Sequence, residues 1–176
     1  MNESQILIVK KILNRMVIRR KKELGGRRFL TMSYAVSTTT GACYVGYNDR
    51  KFEMNGEKDK RWMSATGTST ILVYSFYNIC AEASALSIAL SWGESVGDLV
   101  FFAMNKNMQP FNPCSSCQKW ILEKPKGVLY FDSKSKAWKI HKEDSLSKYD
   151  WANLEKAASG YAVNDVTDYK GIAKFV

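Results

Sequence analysis

Two short motifs, Cys80-Ala81-Glu82 and Pro113-Cys114-Ser115-Ser116-Cys117, constrain this chain more than any other feature. Together they hold three of its four cysteines. A zinc ion held by three thiolates keeps a fourth position open, which is the catalytic rather than the structural pattern. Glu82 stands two residues after the first cysteine, where it can carry a proton without being a ligand. Cys114 and Cys117 are three apart, so a helix that begins there turns both to one side. Cys80 must then come from a neighbouring helix. The N-terminus of a helix favours thiolate over thiol, which suits both motifs. Simpler readings exist for each part. Cys-x-x-Cys alone also fits a redox pair or half of a structural zinc site, and Cys80 alone fits a buried thiol. A four-cysteine structural site would recruit Cys43. The joint occurrence of the two motifs favours the three-cysteine centre. His141, the one histidine, falls on an expected strand remote from both motifs and is not expected to be a ligand.

The chain has 176 residues, enough for one domain with a substantial core. Its hydrophobic fraction of 45% argues against disorder. No apolar run approaches the roughly 18 residues of a membrane span. The apolar residues near the N-terminus are interleaved with charges and precede no cleavage-like site, so no signal peptide is expected. A Cys-x-x-Cys pair with two further cysteines reads as metal or redox chemistry rather than a disulfide framework. The net charge of +9 is unevenly placed. Residues 1–28 carry nine basic and two acidic residues, a net of +7, which leaves +2 for the rest. A polyanionic partner is therefore argued by the N-terminal arm.

The organisation expected is a basic N-terminal helix or arm over 1–28 packing on the domain, a zinc domain over 29–159, and a tail over 160–176. In residues 4–22, Ile6, Ile8, Val9, Ile12, Leu13, Met16 and Val17 recur near a 3.6-residue period, which predicts a helix. Arg19, Arg20, Lys21 and Lys22 near its end suit the helix dipole. That basic side reads as a solvated face, and the same face is available to phosphates. Residues 29–36 and 42–47 read as a hairpin around Thr38-Thr39-Thr40-Gly41. Residues 49–62 read as a polar surface loop, and 71–77 are ambiguous between strand and buried loop. A helix is expected over 80–92, stopped by Gly93. Its Cys80, Ser84, Ser87 and Ser91 would share one side and Ala85, Leu86, Ala89 and Leu90 the packing face. Residues 99–104 read as a buried central strand. A short helix over 115–123, strands over 127–131 and 136–141, and a last helix over 149–159 complete the reading.

At its two motifs the chain resembles the cytidine deaminase-like superfamily, whose signature is His or Cys, x, Glu, and later Pro-Cys-x-x-Cys. The resemblance covers roughly residues 29–142. It implies an α/β fold, a three-layer α/β/α sandwich with a five-stranded mixed sheet. It implies Zn2+ on Cys80, Cys114 and Cys117, with Glu82 as the catalytic proton shuttle. It also implies substrate contacts from Asn48, Ala81, Pro113 and Ser115. The three-cysteine form looks like free cytidine deaminases and several toxin deaminases. The chain departs from the free enzymes after Asn48. They continue with an Asn-x-Glu-Asn pattern whose glutamate binds ribose, whereas Asp49-Arg50-Lys51-Phe52 and a long charged loop follow here. The basic arm and the run Cys80-Ala81-Glu82-Ala83-Ser84-Ala85-Leu86 look more similar to deaminase domains of bacterial polymorphic toxins. Those act on nucleic acid bases and are blocked by dedicated immunity proteins.

The resemblance thus implies a zinc-dependent hydrolase that converts cytosine to uracil in DNA or RNA, as a toxin or effector domain. Such a domain would be secreted to act in a target cell's cytoplasm, or would itself be cytoplasmic, with no membrane partner. Arg19, Arg20, Lys21, Lys22, Arg27 and Arg28 are the expected nucleic acid contacts. Tyr47, Phe76, Tyr77, Phe111 and Trp120 lie near the motifs in sequence, and one or two of them could stack on a base, although most such residues are core. Two other readings stay open: a deaminase of free cytidine or a related small molecule, and a non-catalytic zinc domain that binds through its basic arm.

Overall fold

A computed structural model describes residues 1–24, 31–47, 80–115, 117–118 and 123–160, with the side chains of 20–24 and 91 excepted. Its elements in chain order are α1 (Glu3–Leu24), β1 (Met32–Ser37), β2 (Cys43–Tyr47), α2 (Ala81–Ser91), β3 (Leu99–Met104), β4 (Gly127–Asp132), β5 (Ala137–His141) and α3 (Lys148–Ala158). The strands form one sheet in the order β2-β1-β3-β4-β5. β3 and β4 are parallel and the other neighbours antiparallel, so the sheet is mixed and open. Helices cover both faces, and the fold is a three-layer α/β/α sandwich.

Alternation along the strands divides the core in two, because successive side chains leave a strand on opposite faces. Ala35, Tyr44, Leu99, Phe101 and Val128 point to one face and pack with Leu86, Ile88 and Ala89 of α2. Tyr34, Cys43, Val100, Phe102 and Leu129 point to the other. There they meet Ile8, Val9, Ile12 and Met16 of α1, and Trp151 and Leu154 of α3. β3 is buried at every position, as its unbroken apolar run requires at the centre of a doubly covered sheet.

The apolar stripe of α1 is narrower than its sequence period predicts. Ile8, Val9, Ile12 and Met16 are buried, but Ile6 is 38% exposed. At about 100° per residue Ile6 stands well to one side of the row formed by Ile8, Ile12 and Met16. The α1 N-terminus is tied down where the Met1 amino group pairs with Glu143. α2 is buried from Ala81 to Ala89 with Ser84 and Ser87 included, so the expected split into a serine side and a packing side does not hold. Its small side chains let it lie unusually close to β2. A Cβ built on Gly46 would stand 2.2 Å from the Ala81 carbonyl oxygen and 2.3 Å from the Ala85 nitrogen. Gly93, at φ +89°, turns the chain out of α2, where the Glu94 N–H donates to the Ala89 carbonyl at 3.0 Å.

α3 begins with a capping box. The Asp150 N–H donates to Ser147 Oγ at 3.1 Å, and the Ser147 N–H donates to Asp150 Oδ2 at 2.7 Å. Lys126 Nζ adds an ion pair to Asp150 Oδ1 at 2.8 Å. Among the described residues no helix is long and apolar enough to cross a membrane.

Candidate metal centre

The cluster is assembled at one edge of the sheet. Met32, the first residue of β1, pairs with both Tyr47 and Met104, so β2 and β3 end at that same edge. Cys80 is the N-cap of α2, beside the closely packed Gly46. Beyond β3 the chain returns on itself. Pro110 bridges Met104, and the Phe111 N–H donates to the Ala103 carbonyl at 3.0 Å. This hairpin-like return delivers Pro113 and Cys114 to the face that α2 covers. Ser115, Cys117 and Gln118 are helical. The Gln118 N–H donates to the Cys114 carbonyl at 2.9 Å, and Gln118 Nε2 donates to the Pro113 carbonyl at 2.9 Å, which fixes the turn.

The sulfurs of Cys80, Cys114 and Cys117 all lie within 4.8 Å of one another. Those of Cys80 and Cys114 are 3.3 Å apart. Thiolates at tetrahedral positions with zinc–sulfur bonds of about 2.3 Å stand roughly 3.8 Å apart, so the group fits a metal ion of that size. Electrostatics points the same way. Without a cation the Cys80 thiol is pushed up to about 12, first by its hydrogen bond with Cys114 and then by burial and nearby negative charge, against a lowering contact with Cys117. Cys117 is raised further, first by its contacts with Cys114 and Cys80 and then by burial. Three sulfurs this close hold three negative charges only if a cation neutralises them.

Glu82 completes the group. Its side chain is 2% exposed, and Cys117 Sγ lies 3.9 Å from its Oε2. Its Oε1 is buried with no hydrogen-bond partner among the described residues. Burial pushes its carboxyl up to about 7, assisted by Cys114 and opposed by its own backbone hydrogen bond and by Cys117. A buried carboxylate oxygen without a partner is costly, so the position serves something other than the fold.

The other expected site residues fall as follows. Ala81 and Pro113 are buried beside the cysteines, and Ser115 is exposed. Asn48, Phe76, Tyr77, Trp120, Arg27 and Arg28 lie outside the described residues, as do the side chains of Arg20, Lys21 and Lys22. Arg19, on α1, is hydrogen-bonded to Tyr34 of β1. Tyr47 points into the core of the opposite face, whereas Phe111 is 37% exposed. Cys43 is not part of the metal group. It is buried between β2 and α1 on the other face, and its thiol is pushed up to about 12 by burial against the lowering effect of Arg15 and Arg19. Sequence reasoning gave Gly46 no role. An isolated glycine inside a strand is the signal that would have found it, because such a residue marks a close approach of another backbone.

The fold and the site together define an α/β/α protein whose three clustered cysteines can hold a metal ion beside a buried carboxylate. No protein-family model matches the chain, and no curated protein matches it.

Proposed function

We propose that this chain is a zinc-dependent hydrolytic deaminase of the cytidine deaminase-like superfamily, that it converts cytosine to uracil in nucleic acid, and that it serves as a toxin or effector domain. The observation that carries the catalytic reading is the buried, half-unpartnered carboxylate of Glu82 against a three-cysteine cluster. A purely structural metal site has no use for that carboxylate. The nucleic acid and effector parts rest on the basic balance of the chain and on the departure after Asn48 from the free-nucleoside pattern.

Cys80, Cys114 and Cys117 would hold the zinc. Bound there, zinc supplies the Lewis acidity that makes water a nucleophile near neutral pH. The residues of the chain do the rest. Glu82 accepts a proton from the attacking water and delivers it to the ring nitrogen next to the reacting carbon. Glu82 then takes the remaining proton of the hydroxyl added at C4 and passes it to the exocyclic amine, so that the C4 carbonyl forms as the bond from C4 to nitrogen breaks and ammonia leaves. The carbon gains oxygen and loses nitrogen, and no oxidant or reductant is needed. Burial of Glu82 keeps its carboxyl near neutrality, where a group both accepts and returns a proton efficiently.

Incubation with cytosine-containing DNA and RNA, with uracil scored by mass spectrometry, tests the proposal. Uracil in a polymer supports it. Product from free cytidine alone would make the chain a small-molecule deaminase.

A further inference from the structure

We infer that the sheet edge carrying the cysteine cluster also binds a single-stranded polyanion, with Lys106, Lys134 and Lys136 as its phosphate contacts. The inference rests on the nucleic acid reading above and assigns it a surface other than the basic arm. Two described connections lie at that edge: residues 105–113 after β3, and residues 133–136 between β4 and β5. They carry these three lysines and no acidic residue, and all three are exposed. Asp132, at the end of β4, is paired with Lys139 at 2.8 Å. The connections at the opposite edge differ. They hold Glu94, Asp98, Glu123, Glu143 and Asp144. Of their lysines, Lys126 is engaged on Asp150 and Lys142 on the carbonyls of Glu123 and Pro125, and Lys124 is the third. Among the described connections charge is thus segregated by edge, and those beside the cluster carry lysines without acidic residues.

Both basic loops are held in shape. Asn105 Oδ1 accepts from the N–H groups of Asn107 at 2.9 Å and Gln109 at 3.2 Å, which folds the chain around Lys106. Asp132 accepts from the Lys134 N–H at 3.0 Å and from Ser135 Oγ at 2.8 Å, which folds the second loop. Asn112 Oδ1 accepts from the Phe131 N–H at 2.8 Å, so the two loops stand side by side. Phe111, in the first of these loops, is 37% exposed, whereas Phe131 and Trp138 pack together on the α1 and α3 side of the sheet. Lysines on preorganised loops around an exposed aromatic surface fit a single strand, whose phosphates meet the ammonium groups while a base stacks. Lys10 and Lys11, by contrast, are exposed on α1, across the sheet from the cysteines.

The test uses the full zinc-loaded chain and short fluorescein-labelled single strands of DNA and RNA, with anisotropy read between about 50 and 200 mM salt. The variants are Lys106→Ala/Lys134→Ala/Lys136→Ala together and, as a control, Lys10→Ala/Lys11→Ala. The triple variant is expected to bind about tenfold more weakly, with a salt slope lower by roughly 2, because each contact to a single strand contributes about 0.7. The control should match the parent. If the triple variant loses zinc, the three single Lys→Gln variants are read instead, each expected to lower the slope by about 0.7. An unchanged triple variant beside a weakened control overturns the inference and leaves the deaminase proposal standing. A parent chain that binds no strand but deaminates free cytidine overturns this inference and the nucleic acid reading together. Equal affinity for an acidic polypeptide such as polyglutamate overturns the single-strand assignment alone.

Discussion

Cys117 Sγ lies 3.9 Å from Glu82 Oε2, although 35 residues separate the two in sequence. One sits in the first turn after β3's return and the other in the first turn of α2. Their contact joins the ligand set to the proton carrier. Replacement of Glu82 by Gln keeps the volume and removes the proton acceptor. Turnover is expected to fall by about 10²–10⁴ with one zinc per chain retained. Zinc loss in a folded variant would make Glu82 a structural partner of the cluster.

Gly46 sets the distance between β2 and α2. Gly46→Ala would drive a methyl group into the backbone at Ala81 and Ala85, neither of which can swing aside. The expected cost is about 1–3 kcal/mol of stability. Zinc affinity should weaken with it, since Cys80 caps the displaced helix. Denaturant unfolding and zinc titration of the same variant check both effects.

The four thiols should separate by reactivity. Removal of metal with a chelator from the folded chain is expected to expose Cys80 and Cys114, both half-buried, to a thiol reagent. Cys43, sealed beneath α1, should react only on global unfolding. Early modification of Cys43 would contradict its placement.

The motifs made the metal group legible, because ligand chemistry fixes residue type and spacing tightly. The central position of β3 was legible from its apolar run. Other features depend on contacts that no local pattern announces. Glu94 gathers hydrogen bonds from Ser37 at 3.0 Å and Tyr44 at 2.8 Å across more than one element. The burial of Ser87 in α2 is likewise met by a contact within the helix, its Oγ donating to the Ala83 carbonyl at 2.9 Å.

Asp150 gives the fold a pH dependence. Burial acts to raise its carboxyl, but the Lys126 ammonium and the Ser147 hydrogen bonds outweigh it and hold the group below its ordinary value. A depressed carboxyl contributes stability that is present above its unfolded value and is lost as pH falls through its folded one. Asp150→Asn should therefore be less stable than the parent by about 1 kcal/mol near neutrality, the scale of one helix cap. The difference should shrink below roughly pH 4. Urea unfolding across pH reads it directly, and a gap that persists in acid would refute the assignment.

The most direct test of the central claim measures zinc content and cytosine deamination in the same preparations of the parent and Glu82→Gln chains. Free cytidine, single-stranded DNA, double-stranded DNA and RNA serve as substrates. The account predicts one zinc in both proteins, and uracil in a polymer from the parent alone. A parent chain that holds zinc and releases ammonia from none of the four, or a Glu82→Gln chain as active as the parent, would contradict it.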